Sequence, residues 1–174
     1  DQQVWQTGRE QVTTEERLTS QRGETRWFQT IKRPLRGEQG EITHLLGVAV
    51  DITERKRREE ELQRAQSFLT AVVENLPISV FIKEAGDLRF VLWNKAGEEL
   101  TGYSNAEMMG KNDHDFFPPE VAARFIEDDR RALANGKLVD IPAEPLDSRH
   151  RGRRLVHTRK IPILDEQGRP QYLL

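Results

Sequence analysis

From Ile78 to Lys83 and from Leu88 to Trp93 the chain runs apolar, β-branched or aromatic around Ala85-Gly86-Asp87, which predicts an antiparallel hairpin. The period then changes. Asn94 is a good N-cap for a short helix through Leu100 that Gly102 stops, and Ser104 with Glu107 forms a capping-box pattern for a second short helix ending at Gly110. Pro118 and Pro119 suit the first turn of a longer helix in which Val121, Phe125, Ile126 and Leu133 fall on the inner face, and Asn135-Gly136 ends it. Strand patterning resumes over Lys137–Pro142, Arg153–Leu164 and from Gln171 onward. The predicted order is two strands, several short helices, one longer helix and three strands.

Sliding the chain by 128 positions reveals an internal repeat. Arg26, Thr30, Lys32 and Pro34 fall on Arg154, Thr158, Lys160 and Pro162, and Glu38-Gln39-Gly40 with Leu45-Leu46 fall on Glu166-Gln167-Gly168 with Leu173-Leu174. Each copy reads as a strand ending near a proline, a Glu-Gln-Gly turn and a second strand. Residues 1–54 are therefore expected to be the C-terminal strands of one module, and 76–174 a second module whose last strand is truncated. Three strands without a covering helix leave an apolar face and an edge open, so 1–54 is expected to pair with a neighbouring chain or stay partly disordered.

Between the copies, residues 55–75 are rich in helix formers and free of Gly and Pro. Leu62, Ala65, Leu69, Val72 and Leu76 are spaced three, four, three and four apart, a seam that pairs helices or lays one helix on its own module's sheet. The preceding run of Arg and Glu reads as a solvated face.

Leu, Ile, Val and Phe supply 44 of 174 residues, enough for a packed core, but charged residues at 32% require elements with one wet face. With 27 basic and 29 acidic residues, no overall field favours nucleic acid or an anionic membrane. The Arg149, Arg151, Arg153, Arg154, Arg159 and Lys160 cluster lacks interleaved aromatics, so it reads as a solvated or partner-contacting ribbon. The absence of cysteine removes disulfides, thiolate catalysis and Cys-bearing metal sites, and suggests a reducing, cytoplasmic compartment. The stretch Leu45–Val50 is far too short to cross a bilayer, and the chain opens at Asp1 with no signal region, as an excised piece would; any membrane anchor is expected outside it. No phosphate loop, dinucleotide fingerprint, nucleophile elbow or paired-histidine zinc motif occurs, so no enzymatic activity is expected of this stretch. His114, between Asp113 and Asp115, reads as part of a capped turn.

Trp93-Asn94-Lys95-Ala96 followed by Leu100-Thr101-Gly102-Tyr103-Ser104, then Glu107-Met108-Met109-Gly110-Lys111 with Asp113 to Pro118, resembles the PAS domain family of bacterial sensory modules. Val50-Asp51-Ile52-Thr53-Glu54-Arg55-Lys56 is similar to the aspartate-isoleucine-threonine tail with which such domains pass into a connecting helix. The resemblance implies an α+β PAS fold, a five-stranded antiparallel sheet with short helices on one face, preceded by a linker helix and a partial PAS sheet. It also implies signal transmission through Asp51 and Thr53 into the helix, where Leu62 and Leu69 would pair two chains into a homodimer.

Family geometry implies a cavity between sheet and short helices, lined by Phe81, Val91, Trp93, Asn94, Met109, Phe116, Ile126 and His157, which serves equally as a ligand pocket or a filled core. Haem-binding relatives place an axial histidine on the long helix, and residues 118–135 contain none. Photoactive relatives use a cysteine that is missing here; non-covalent flavin stacked on Trp93 and anchored by Asn94, or a small metabolite, is what the pattern leaves open. The expected parent is a two-component histidine kinase. A diguanylate cyclase or phosphodiesterase, or a ligand-free dimerisation module, are the alternatives.

Overall fold

The computed structural model describes residues 2–20 and 23–174. The chain divides into two compact units with the boundary between Ser67 and Phe68.

In the first unit a short helix α1 (Gln2–Thr7) precedes three strands, β1 (Gln11–Thr19), β2 (Thr25–Arg36) and β3 (Ile42–Asp51), which form an antiparallel sheet in the order β1-β2-β3. The β2–β3 turn uses Gly40 at φ +85°, donating to Gly37 O at 3.1 Å, in the Glu-Gln-Gly position expected from sequence. β3 leads directly into helix α2 (Thr53–Glu74). Burial here is sparse. Val4 of α1, Thr30, Ile52 and Thr53 are buried, whereas Val12, Leu18, Ile31, Leu35, Leu46, Val48 and Val50 are exposed.

The second unit carries β4 (Phe81–Glu84), β5 (Phe90–Trp93), α3 (Lys95–Thr101), α4 (Asn105–Met108), a 3₁₀ turn (Asp113–Asp115) and α5 (Pro119–Asn135). Then come β6 (Val139–Ser148), β7 (Gly152–Lys160), β8 (Pro162–Leu164) and β9 (Pro170–Leu173). The strands form a four-stranded antiparallel sheet, β5-β4-β9-β8, and a two-stranded ribbon, β6-β7. The single strand expected over Arg153–Leu164 is thus two strands, because Pro162 cannot donate to a ladder and the chain bends before it. Ile161 bridges the bend by exchanging two backbone hydrogen bonds with Leu174, at 2.7 and 2.9 Å.

The expected short helices form with the expected caps. Asn94 Oδ1 accepts from Gly97 N, and the reciprocal Ser104–Glu107 box closes α4. Gly102 ends α3 at φ +82°, where a Cβ would also meet His150 Cδ2 at 2.6 Å, so only glycine fits. Three apolar clusters make the core: Leu88, Ala132, Leu133 and Leu173; Phe90, Trp93 and Met108; and Phe117, Ala122 and Phe125. Each large side chain fully withdrawn from water here stabilises by about 2 kcal/mol before entropy is counted.

Candidate functional site

At the exit of β3 the backbone turns into α2 through side-chain bonds. Thr53 N donates to Asp51 Oδ1 at 2.9 Å, Trp27 N donates to Thr53 Oγ1 at 2.9 Å, and Arg26 reaches Asp51 Oδ2 at 3.4 Å. Thr53's hydrogen bonds first, and Arg26's charge after them, hold the Asp51 carboxyl below the usual carboxylate range. Asp51 and Thr53 therefore fasten β2 and β3 to the first turn of the helix. Along α2, Leu62, Phe68 and Leu69 are all more than 60% exposed, so the seam read from sequence stays uncovered within a single chain.

Within the second unit, the last turns of α2 are fixed by Asn94. Its amide is completely buried and all four bonding positions are filled: Oδ1 accepts from Val80 N and Gly97 N, and Nδ2 donates to Val73 O and Ile78 O. Lys95 N adds a bond to Glu74 Oε2 at 3.0 Å. The residue that caps α3 thus also clamps the end of α2.

A pocket of about 720 Å³ opens between β4 and β5, α5 and the β6-β7 ribbon. Its apolar wall combines aliphatic side chains such as Val80, Leu146 and Leu174 with five rings, Phe81, Phe90, Trp93, Phe117 and Phe125, in edge-to-face pairs such as Phe117–Phe125 at 5.2 Å and Phe90–Trp93 at 5.4 Å. Its polar wall is charged. Lys83 Nζ donates to Asp113 Oδ2 and Asp129 Oδ2, both at 2.6 Å, and Lys160 Nζ donates to Asp129 Oδ1 at 2.5 Å and Phe125 O at 3.1 Å. All four side chains are buried. Burial pushes the Asp113 carboxyl up, ahead of the opposing pull of Lys83. The two ammonium groups also lie over rings, Lys83 at 4.6 Å from the Phe90 centroid and Lys160 at 5.8 Å from that of Phe125.

Of the cavity residues expected from sequence, Phe81, Trp93 and His157 line this pocket. Asn94 holds backbone instead, because its bonding capacity is spent. Val91 is 42% exposed, since a bulge in β5 leaves it unpaired between Phe90 and Leu92, which face Lys83 and Ile82 on β4. Met109 and Phe116 pack around Trp93 and Met108, and Ile126 packs on the cluster containing Leu133, so these three serve the core. His157 bonds through Nε2 to Asp140 on the ribbon's surface, which with Arg159 keeps the Asp140 carboxyl low.

Lys83, Asp113, Asp129, Lys160 and Glu144 were not read as site residues. A signal existed for Asp129: it shares the helical face of Phe125, Ile126 and Leu133, where a carboxylate needs a buried partner. Asp113, taken with His114 as a surface turn, instead pairs with Lys83, while Asn112 and Asp115 form the capping.

The residues do not fit an axially ligated haem, since α5 contains no histidine and His157 Nε2 is engaged by Asp140. For flavin there is no cysteine to form an adduct, and the anchor assigned to Asn94 is occupied; the indole of Trp93, whose Nε1 meets no hydrogen-bond partner among the described residues, is what remains. Among the described residues no three His, Cys, Asp or Glu side chains gather as metal ligands, and no helix is long and apolar enough to cross a membrane.

Comparison with known proteins points to the same fold. The chain is 32% identical over 88 residues to the two-component sensor PprA of Pseudomonas aeruginosa, covering 49% of this chain and 9% of that protein. It is 28% identical over 98 residues to the sensor protein FixL of Bradyrhizobium diazoefficiens, covering 56% and 19%. The chain therefore spans less than a fifth of either relative. The PAS domain of an HTR-like protein from Haloarcula marismortui superposes with a TM-score of 0.52 at 22% identity, covering 68% of this chain and 94% of that one, which supports the fold. A family model described as the PAS fold matches residues 1–57 and 73–174, nearly the whole chain, and the protein belongs to the PAS fold family.

Proposed function

We propose that this chain is the sensory and relay region of a cytoplasmic bacterial two-component histidine kinase. A small molecule enters the pocket of the second unit, and the signal travels through α2, whose exposed seam pairs with that of a second copy. The carrying observation is the bonding of α2 at both ends: Asp51 and Thr53 join its first turn to β2 and β3, and Asn94 joins its last to the β4–α3 region. A helix held by side-chain bonds at both strand ends responds to small shifts in either sheet. Binding can bias it only through unequal affinity for two arrangements. Similarity to two sensor proteins favours a kinase output over a cyclase or phosphodiesterase.

Disulfide crosslinking of Leu62→Cys and Leu69→Cys variants in the full-length parent tests this directly. Crosslinking efficiency at one or both positions should change under conditions that change autophosphorylation. Yields that stay constant while kinase output varies would exclude the relay.

A further inference from the structure

Charge in the pocket does not close on itself. Lys83 and Lys160 balance Asp113 and Asp129 one for one, and His157 and Arg159, which also line the pocket, pair with Asp140. Glu144 is left over. It lines the pocket at 5% exposure, its Oε1 meets no hydrogen-bond partner, and no ion pair reaches its carboxylate among the described residues. A bulge in the β6-β7 ladder between Ile141 and Glu144 resets the alternation, so that Glu144 and Leu146 both line the pocket. Trp93 Nε1 and Asn105 Oδ1 of the same unit also meet no partner among the described residues, but neither carries charge; a carboxylate withdrawn from water without a partner is the costly one, and it calls for a counterpart supplied from outside.

The rest of the wall narrows what that counterpart is. An anion would meet Glu144 and find both ammonium groups already committed to Asp113, Asp129 and the Phe125 carbonyl. A neutral apolar molecule would seal Glu144 in a still drier site. A cation satisfies it, and the aromatic wall of Phe81, Phe90, Trp93, Phe117 and Phe125 receives both an apolar body and positive charge. Resting on the reading of this pocket as a ligand site, we infer that its ligand is a small organic cation, an amine or quaternary ammonium on a ring-bearing apolar body, with Glu144 as its counter-ion.

Three probes that share a phenyl ring on a short chain and differ in charge test this on the 174-residue chain: 2-phenylethylamine, 2-phenylethanol and 3-phenylpropanoate, each titrated calorimetrically and by thermal shift. The amine should bind best, and Glu144→Gln should weaken it by about 30-fold or more while leaving the alcohol unchanged, as expected when one member of a desolvated charge pair is removed. Without ligand, Glu144→Gln should raise the Tm of the second unit by about 4 °C or more, because an unpaired buried charge has gone. A carboxylate serving only to hold the ribbon would lower Tm on substitution and overturn the inference. Equal binding of all three probes, or amine affinity unchanged in Glu144→Gln, would also overturn it while leaving the pocket as a ligand site. Binding of none of them would remove the ligand-site reading itself.

Discussion

Lys32 and Lys160 hold the same place in the two copies of the hairpin, yet Lys32 is only half-buried in an open sheet whereas Lys160 is 2% exposed and ion-paired to Asp129. The leucines on the strand after the glycine turn diverge in the same way: Leu45 is half-buried and Leu173 is fully buried. The shared residues thus produce the same glycine turn, but one unbroken strand β2 in the first copy and β7 and β8 in the second, and the lysine and both leucines are more buried in the second. The turn is locally encoded. What differs is the layer laid over the sheet, since the second unit has α3, α4, the 3₁₀ turn and α5, while among the described residues the first has α1, with buried Val4, and the first turns of α2. The sheet is a platform, and the helices over it decide which of its side chains become core, ion pair or pocket.

The largest effect should come from Asp129→Ala. Both Lys83 and Lys160 would lose a buried partner, a change that costs about 3–5 kcal/mol. Urea unfolding followed by circular dichroism should show that loss in the second unit's transition only. Lys32→Met in the first unit, at a half-buried position, should shift stability by no more than about 1 kcal/mol. Comparable losses in the two variants would break the contrast between the units. Next, Leu173→Ala should cost about 3 kcal/mol and Leu45→Ala about a third of that, measured the same way, because only the first opens a cavity in a closed cluster.

These contrasts explain how much could be read from residues alone. The turns, the caps at Asn94 and Ser104, the α5 boundaries and the strand-to-helix exit at Asp51–Thr53 are local chemistry, and they stand in the sequence as short patterns. The break at Ile161–Pro162 is marked in the repeat by Pro162, while apolar patterning over Arg153–Leu164 continues across the bend and hides it. The polar side of the pocket was not legible. Its ion pairs join residues 30, 46 and 31 positions apart, and nothing in a strand's own pattern reveals that Lys83 will face a helix carboxylate. Asn94 was seen for its cap, but its three other bonds depend on how Val73, Ile78 and Val80 return to it.

A smaller effect tests the first unit where β2 and β3 are bonded to α2. Thr53→Val keeps the shape of the side chain and removes the acceptor for Trp27 N, at about 1 kcal/mol. Amide exchange should accelerate at Trp27 and in the first turn of α2, and the second unit's core amides should be unaffected. Uniform acceleration throughout the chain would mean that the units do not open separately.

The smallest effect concerns the helical layer that the first unit lacks. Ser104's backbone and side-chain hydrogen bonds, reinforced by Arg149 at 3.0 Å, hold the Glu107 carboxyl down to about 2, against an ordinary 4.5. A carboxyl lowered on folding contributes stability that is present above its unfolded value and lost as pH falls through its folded one. The advantage of the wild type over Glu107→Gln should therefore be constant above about pH 5, narrow below about 4.5 and vanish near pH 2. Taking the difference between the two proteins removes Asp51, Asp140 and Asp165, whose carboxyls are also held low and which both proteins share. Glu107 is exposed and so is Arg149, so added salt should shrink the part of the gap that belongs to their charge attraction and leave the part due to Ser104. A gap that ignores pH would mean that the cap of α4 works through the shape of Glu107 and not its charge, and that the helices over the second sheet need no electrostatic fastening to stay in place.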